Sequence, residues 1–464
     1  MADLRDFESD LKRMLTRLEK RAVFSEVLGQ RIVGEGLRIN RRETTPSTRP
    51  RLHGAAIRAW SGSRWVESAT SDFGPKGCEE AVEGIERALE TDKGRSPPPG
   101  PSATGVQEMM TRPVHPVSDL GIEGMISLGR DVLGWATQVP GIIDAEVQFG
   151  WDDEERLYLN SVGARCYQRR TRVRAITAPL AMENGKVEYD FWSKGGSGGT
   201  EWFDSFTEAN IKALAGDSLA LLKAETAPAG EMAVLLDPGV AGTFAHESFG
   251  HGTEADQFVR DRSYLKPVLG SMVGPELLSI VDNGAHPTGW GSIYFDDEGH
   301  PGQRTVLVDK GRFAGALHDR ETAAVLHAHP TGNTRRSDFL SRPFVRMTNT
   351  YTEPGDWTLE ELLEEMKDGV LLERATSGIE DPLGGQMQLK VKRGHRVENG
   401  EQAGLVSSMA LSGKVLEFLK AIRGVSRASD FVIDPGYCGK GHTDYIPAGT
   451  GGTYLLSRAV VGPA

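Results

Sequence analysis

Apolar residues recur along this chain with two different periods, one helical and one extended. Between residues 3 and 21 they lie three or four positions apart, at Leu4, Phe7, Leu11, Leu15 and Leu18. Because 3.6 residues make one helical turn, this spacing predicts a helix with one apolar face. Residues 52–70 alternate apolar and polar positions on both sides of a Ser-Gly-Ser turn, which predicts a β-hairpin. Helical spacing returns at residues 78–89, 127–139 and 205–224.

Beyond residue 225 the pattern changes to short alternating segments separated by glycine-containing turns. One helical segment, residues 244–251, is set among these predicted strands. A new strand begins near residue 226, after the last helix of the first half. We therefore predict an α+β fold of two domains, a mixed α/β N-terminal domain at 1–225 and a strand-rich C-terminal domain at 226–464.

Two segments follow neither period. Residues 94–105 contain four prolines, which exclude regular structure and predict an exposed connection inside the first domain. Residues 195–199 are Gly-Gly-Ser-Gly-Gly, which predicts a flexible loop. Neither a phosphate-binding lysine pattern nor a strand-to-helix context accompanies this loop, so it does not indicate a nucleotide site.

The composition narrows the class of protein. The 464 residues include 53 lysines and arginines against 65 aspartates and glutamates, a formal net charge of −12. Nucleic-acid binding needs a positive surface, so this balance argues against a nucleic-acid partner. Three cysteines are too few and too scattered for a disulfide framework. The charged N-terminal segment lacks the apolar stretch of a secretory signal and no run of 18 apolar residues exists, so we expect a cytoplasmic protein without a membrane span.

The strongest chemical signal lies in residues 242–257. There His246, Glu247 and His251 form an H-E-x-x-x-H arrangement. Imidazole nitrogen is a preferred zinc ligand, and a carboxylate beside a ligand is able to take a proton from a zinc-activated water. The usual zinc-peptidase pattern has its histidines four residues apart, on one helix face. At about 100° per residue, a spacing of five leaves them about 140° apart on a regular helix.

A shared metal would therefore require the helix to bulge or to end between the two histidines. Gly250 and Gly252 lie where that change is easiest. The plainer interpretation is a pair of ordinary histidines at a helix end. His246 would then be a core residue, and His251 a C-terminal residue favoured by the helix dipole. The motif alone leaves both interpretations open.

Cys438 lies far along the chain, in a glycine-containing segment. A lone thiol is most often a small buried hydrophobic residue. It is also a candidate third zinc ligand, with His442 as a reserve ligand or as a partner to a ligand. A cysteine–histidine protease with Cys438 as nucleophile is a further alternative, but it leaves Glu247 without a role. Cys78 and Cys166 lie in helix and strand patterns and are predicted to be structural.

The order of several motifs resembles that of a known family. The H-E-x-x-x-H segment is followed by further blocks at 296–303, 330–336, 347–355, 384–386 and 438–440. In this order the blocks resemble the TldD/PmbA family, on the TldD side, over most of the predicted second domain. The first half is similar to the family more loosely, through the hairpin around Trp65 and the turn at 160–163.

The resemblance implies a role for each residue of the motif. His246 and His251 match the family's metal-binding histidines, and Cys438 matches its cysteine ligand. Glu247 matches the family's catalytic acid/base. The implied cofactor is one zinc ion per chain, and the implied substrates are unfolded or flexible peptides. The implied assembly is a homodimer, or a heterodimer with a metal-free family member.

From the residues and the resemblance together we predict a zinc-dependent peptidase in which Glu247 is the general base. The alternative is a non-catalytic peptide-binding or scaffolding subunit of the same kind of dimer. The complete ligand set favours the enzyme, and a closed structural zinc site would need four protein ligands and no base. Three further residues are predicted to bind substrate. Arg335 would bind a carboxylate of the substrate, and Asn349 and Tyr351 would form hydrogen bonds with its peptide backbone.

Overall fold

The structure of the protein, a computed structural model, describes residues 3–47, 51–90, 94, 96–440 and 444–464. Its α-helices are α1 (Glu8–Leu18), α2 (Pro75–Leu89), α3 (Val117–Thr137), α4 (Glu208–Leu221), α5 (Pro238–Thr243), α6 (Ala255–Val259), α7 (Arg320–Leu326), α8 (Leu359–Met366) and α9 (Val415–Lys420). Short 3₁₀ turns lie at Leu4–Phe7, Thr200–Phe203, His251–Thr253, Lys266–Val268 and Ala428–Asp430.

The first half of the chain builds one large sheet. Its strands are β1 (Phe24–Ile39), β2 (Thr44–Pro46), β3 (Leu52–Trp60), β4 (Trp65–Thr70), β5 (Val106–Met110), β6 (Ile142–Asn160), β7 (Arg165–Glu183), β8 (Lys186–Tyr189) and β9 (Trp192–Ser197). The spatial order is β4-β3-β1-β6-β7-β5, with β2 paired to β1 and with β8 and β9 paired to β7.

One face of this first sheet is apolar, and α1 to α4 cover it. Side chains alternate between the two faces of a strand, so the odd-numbered residues of β1 and β6 share this face. Val27, Phe149 and Leu157 are fully buried there. Leu11 of α1 joins Val27 and Leu157 in one apolar cluster, and Ile211 of α4 joins Phe149 in another.

The opposite face is polar and meets the second half of the chain. Arg58 on β3 contacts Glu298 at 2.7 Å and donates from Nε to Glu26 on β1 at 2.5 Å. The side-chain amide of Gln168 donates to the carbonyl oxygen of Phe295 at 2.9 Å. Buried charges are tolerated when they are paired and hydrogen-bonded. The acidic block that contains Glu298 therefore joins the two halves of the chain.

The second half of the chain is rich in strands. They are β10 (Glu225–Thr226), β11 (Gly230–Leu236), β12 (Ile280–Asn283), β13 (Arg304–Asp309), β14 (Arg312–Phe313), β15 (Thr334–Arg335), β16 (Phe344–Val345), β17 (Asn349–Thr352), β18 (Gly369–Glu380), β19 (Gln386–Glu398), β20 (Glu401–Lys414), β21 (Gly424–Val425), β22 (Val432–Lys440), β23 (Asp444–Gly452) and β24 (Leu455–Pro463). A second sheet has the order β10-β20-β19-β18-β11-β24-β21, a third has the order β14-β13-β12-β17-β23-β22, and β15 pairs with β16.

Helix α5 packs against strands of both the second and the third sheet. Its residues Val240 and Ala241 are fully buried, as are Phe244 and Phe249 just beyond it. They share one apolar cluster with Val234 of β11. A helix that is apolar on every side is a buried helix. The histidine motif directly follows α5, so this packing carries the motif into the interior of the second half.

The α+β class is confirmed, and so are the N-terminal helix and the hairpin of β3 and β4. The prediction of a flexible loop at 195–199 was wrong for residues 195–197, which belong to β9. Gly195 and Gly196 lie in β9 and pair with Arg174 and Val173 on β7. A side chain at Gly195 would collide with the carbonyl oxygen of Val173. Glycine allows the two strands to approach closely at this point.

The described part of the proline-rich segment, residues 94 and 96–105, contains neither helix nor strand, as predicted. It contacts the second half of the chain, because Arg320 of α7 donates to the carbonyl oxygen of Pro99 at 3.3 Å and to Ser102 Oγ at 3.0 Å. The division of the chain at residue 226 stays a prediction. Within the described ranges, no helix has both the length and the apolar character needed to cross a membrane.

Candidate metal centre

The histidine motif lies on a π-helix, Phe244–Gly250, that continues α5 without a break. The backbone N–H of His251 donates to the carbonyl oxygen of His246, five residues earlier. An i→i+5 bond defines a π-helix, whereas an α-helix bonds residues four apart. Side chains five apart therefore return to one face, and the two imidazole rings lie 5.4 Å apart between centroids. A shared metal required the helix to bulge or to end between the histidines, and the structure shows the bulge.

Two glycines let this helical segment approach its neighbours. A side chain at Gly242, in α5, would collide with the backbone of Gly451 on β23. A side chain at Gly250, the last residue of the π-helix, would collide with the sulfur of Met347. Met347 is fully buried, so it has little room to move. Glycine at both positions keeps the motif close to the third sheet.

Cys438 reaches the motif from β22, where it pairs with Ile446 on β23. The thiol is buried, and its sulfur lies 3.5 Å from Nε2 of His251. One candidate ligand atom each from His246, His251 and Cys438 lies within 4.8 Å of the other two. The structure thus brings together three residues that are up to 192 positions apart in the sequence. His442, the predicted reserve ligand, lies outside the described residues.

Glu247 lies beside this cluster, on the π-helix. Its Oε2 atom is 3.7 Å from Nε2 of His251, and its side chain is 28% exposed. Gly378 on β18 packs against the stem of this side chain. A Cβ atom added at Gly378 would lie 2.7 Å from Cβ of Glu247. Glycine at position 378 therefore leaves the space that the Glu247 side chain occupies.

Two residues that were not predicted from the sequence, Glu254 and Lys440, lie next to the cluster on the side away from Cys438. Oε2 of Glu254 lies 3.4 Å from Nδ1 of His251, on the other side of the ring from Cys438. Nζ of Lys440 lies 3.0 Å from the same carboxylate oxygen. Glu254 lies in the segment 242–257 that carries the histidine motif, and Lys440 lies in the block 438–440. Glu254 could have been predicted from its position three residues after the candidate ligand His251, because a carboxylate near a histidine ligand often accepts the hydrogen of its second ring nitrogen.

The electrostatics of the cluster favour a thiolate facing imidazole rings. Burial alone would raise the pKa of Cys438, but the facing His251 and His246 lower it well below the ordinary value. Burial alone would lower the pKa of His251, but the Cys438 thiolate and the Glu254 carboxylate raise it well above the ordinary value. Burial opposes the charge of Glu254 as well, yet Lys440 and His251 lower its pKa to about 2.

The chemistry of these donors fits a zinc ion. Zinc prefers imidazole nitrogen and thiolate sulfur, and a catalytic site has three protein ligands with one position open. His246, His251 and Cys438 offer two nitrogens and one sulfur within 4.8 Å of each other. Nδ1 of His246 is buried and, among the described residues, has no hydrogen-bond partner. A metal held by the three residues would replace the contact between the sulfur of Cys438 and Nε2 of His251, which lie 3.5 Å apart.

A cleft with a volume of about 890 Å³ opens beside the cluster. His246 and Glu247 line it, together with residues 374–378 of β18. Residues 192–194 of β9, from the first sheet, and residues 434–437 of β22 also line it. This volume is in the range of clefts that bury most of the surface of a bound small ligand. The cleft therefore lies between the first sheet and the second half of the chain, with Glu247 facing it.

The three predicted substrate-binding residues do not line this cleft. Arg335 is buried and donates to the carbonyl oxygen of Met347 at 2.7 Å. Asn349 is fully buried, and its side-chain oxygen accepts from the backbone N–H of Gly291 at 3.0 Å. Tyr351 is 7% exposed, and its hydroxyl accepts from Asn283 Nδ2 at 3.1 Å. These side chains bond within the protein, because β15 and β17 lie in its interior.

Comparison with known families and proteins agrees with this arrangement. Residues 229–460 match the model of the PmbA/TldA metallopeptidase C-terminal domain, and residues 115–227 match that of the PmbA/TldA metallopeptidase central domain. A metalloprotease of Methanocaldococcus jannaschii is 36% identical over 66% of this chain and 67% of its own length. A metalloprotease of Methanothermobacter thermautotrophicus is 35% identical over 78% of this chain and 79% of its own length.

A further relative is named as a zinc metalloprotease TldD homolog, from Saccharolobus solfataricus. It is 35% identical over 50% of this chain and 52% of its own length. Solved structures share the fold. A protein of Thermotoga maritima described as a modulator of a DNA gyrase has a TM-score of 0.78 at 21% identity, covering 98% of this chain and 100% of its own. TldE from Thermococcus kodakarensis has a TM-score of 0.75 at 18% identity, covering 98% and 100%. The chain therefore belongs to the PmbA/TldD family and is a metallopeptidase.

Proposed function

We propose that this peptidase depends on zinc and hydrolyses unfolded or flexible peptides. His246, His251 and Cys438 would hold one zinc ion per chain, and Glu247 would act as the general base. The observation that carries the proposal is the convergence of two imidazoles and one thiol within 4.8 Å, beside a carboxylate that faces a cleft. The name of the Saccharolobus relative supports zinc as the metal.

Each residue contributes a defined chemical property. Bound zinc would supply the Lewis acidity that makes water a stronger acid and a peptide carbonyl a better electrophile. Glu247, partly exposed to the cleft, accepts the proton of the attacking water and returns it to the leaving amine. The carboxylate lies close enough to the cluster, 3.7 Å from Nε2 of His251, to act on a water held there.

The cleft also suggests how a peptide is held. Within the described residues, β11 pairs with β18 only from Gly369 to Leu372, and no other strand pairs with that edge beyond it. The following residues, 374–378, line the cleft. The backbone N–H of Arg374 donates to Oδ2 of Asp237 at 3.3 Å, and among the described strands only β19, on the other side, pairs with residues 375–378. An extended peptide would add to this free edge and pass Glu247. The strands of a folded protein are already paired within its own sheets or protected at the sheet edges, which favours flexible substrates.

The non-catalytic subunit has no specific observation in its favour, because every residue of the candidate cluster is present. The homodimer, or the heterodimer with a metal-free family member, is part of the proposal and rests on the resemblance to the family. A dimer would change the access to the cleft but not the four residues assigned to the chemistry.

The proposal is tested with one protein substrate in its native form and in a permanently unfolded form. Wild type with zinc should cleave the unfolded form, lose this activity with a chelator and regain it when zinc is added. Glu247→Gln should keep its zinc and lose about 10²–10⁴-fold in kcat. Cleavage that persists in both the metal-free protein and the Glu247→Gln variant would contradict the proposal.

A further inference from the structure

Glu254 and Lys440 form a buried ion pair behind the candidate ligands. Oε2 of Glu254 lies 3.0 Å from Nζ of Lys440 and 3.4 Å from Nδ1 of His251. Glu254 is only 1% exposed. The other ring nitrogen of His251, Nε2, lies 3.5 Å from the sulfur of Cys438. The ring of His251 therefore lies between a carboxylate on one side and a candidate ligand on the other.

Lys440 reaches Glu254 from the strand that also carries Cys438. The two residues are two positions apart on β22, so their side chains leave the same face of the strand. The ammonium of Lys440 also contacts Oδ1 of Asp256 at 2.8 Å and the carbonyl oxygen of Val345 at 3.0 Å. An ammonium group has three N–H donors, and these three acceptors match them. The contacts with Asp256 and Val345 fix the position of the Lys440 ammonium, and the ammonium in turn fixes the position of the Glu254 carboxylate.

We propose that Glu254 is a positioning residue for zinc binding, whose carboxylate, anchored by Lys440, accepts the Nδ1 hydrogen of His251 and so directs the Nε2 lone pair toward the metal. A neutral imidazole has one donor and one acceptor nitrogen, so an acceptor fixed at Nδ1 leaves Nε2 as the ligand atom. This inference rests on the proposed zinc-dependent function and goes beyond it.

The same ion pair connects the two ligand-bearing segments. Glu254 follows the 3₁₀ turn His251–Thr253 that continues the motif helix, and Lys440 belongs to the strand of Cys438. The contact between Glu254 and Lys440, at 3.0 Å, therefore holds the motif segment next to β22 whether or not a metal is present. A site that is assembled in advance binds its metal without the loss of conformational freedom that would otherwise weaken the affinity.

The test measures zinc affinity by competition with a chelator of known affinity, together with the unfolding temperature of the zinc-free protein. Glu254→Met removes the acceptor and should weaken zinc binding by about 10- to 100-fold. Glu254→Gln keeps an acceptor oxygen without the charge and should show a smaller loss.

Glu155→Met is the matched control. Glu155 is also 1% exposed and also pairs with one cation, Arg31, at 2.5 Å, but it lies on β6 in the first sheet. This variant should lower the unfolding temperature and leave the zinc affinity at the wild-type value.

Wild-type zinc affinity in Glu254→Met would overturn the positioning role and leave the proposed function intact. Equal losses of affinity in Glu254→Met and Glu155→Met would also overturn it, because the loss would then follow stability. If Glu254→Met does not fold, the Glu254→Gln variant decides by the same comparison. Failure of the wild type to bind zinc contradicts the proposed function itself, so the two failures are distinguishable.

Discussion

The backbone N–H of His251 donates to the carbonyl oxygen of His246, one π-helical turn earlier. This single bond explains why five residues, rather than four, separate the candidate ligands. The additional residue is absorbed by the wider turn, so both rings face Cys438. The conformation of the helix is therefore part of the metal site, and changes to the helix should affect zinc binding.

Gly250→Ala tests this dependence at the end of the π-helix. The added methyl group would collide with the buried sulfur of Met347, which should lower the free energy of unfolding by about 1–3 kcal/mol. Zinc affinity should fall as well, because the helix must shift away from the third sheet. The matched control is Gly216→Ala in α4, where an added Cβ contacts nothing within 4 Å. That variant should be more stable by about 0.5–1 kcal/mol in denaturant unfolding, with unchanged zinc affinity. Equal effects of the two substitutions would contradict the account.

Gly378→Ala acts on Glu247 without touching a ligand. The new Cβ would lie 2.7 Å from Cβ of Glu247 and must displace that side chain. We expect kcat to fall by about tenfold or more, since small displacements of a general base are costly, while one zinc per chain is retained. Gly413→Ala on β20, where an added Cβ meets only the end of Met387 at 3.9 Å, is the control and should keep its kcat. An unchanged kcat in Gly378→Ala would exclude the proposed dependence of Glu247 on this contact.

Arg58→Met tests the buried charges that join the two halves of the chain. It leaves Glu26 and Glu298 buried without this cation, which should lower the free energy of unfolding by about 3–5 kcal/mol. Arg38→Met, on the same sheet, removes an exposed pair with Glu146 and should leave the stability nearly unchanged, because solvent screens an exposed pair. Denaturant unfolding measures both variants. If Arg58→Met lowers the free energy of unfolding by less than about 1 kcal/mol, the buried pairing of Arg58 with the acidic block does not stabilise the contact between the two halves of the chain.

His318 makes the stability depend on pH. It is 7% exposed, and burial lowers its pKa from 6.5 to about 4. Between these values the unfolded chain binds a proton that the folded chain does not. The contribution of His318 is therefore complete above pH 6.5 and is lost as the pH falls toward 4, by about 3 kcal/mol in total. His318→Gln should lose less stability than the wild type between pH 7 and pH 4.5 in urea unfolding. The same loss in both proteins would contradict this assignment.

Periodicity was sufficient to predict several elements of the first half. Local spacing predicts the helix that contains Leu11 and Leu18 and the hairpin around Trp65. Each of these elements packs one apolar face against a single core, so its apolar residues recur at a regular spacing. Gly195 and Gly196 were misread since a glycine in a tightly paired strand and one in a loop look alike in sequence.

The candidate site shows where local patterns stop being informative. The departure from four-residue spacing showed that a shared metal required a bulge or a helix end, because a regular α-helix does not bring His246 and His251 together. The choice between these alternatives needed the structure. Glu254 and Lys440 act through a contact between segments 186 residues apart, which no local pattern indicates. Arg335, Asn349 and Tyr351 have polar groups that suit a substrate, but only the packing of their strands reveals that they are buried.

The most direct test of the central claim is the zinc content of purified protein, measured by elemental analysis. Wild type, His246→Ala and Cys438→Ala are compared with Cys166→Ala, which removes a buried thiol on β7, outside the cluster. We expect one zinc per chain in the wild type and in Cys166→Ala, and none in His246→Ala or Cys438→Ala. A wild type without zinc after zinc is supplied and the excess removed, or a Cys438→Ala variant that retains a full equivalent, would contradict the central claim.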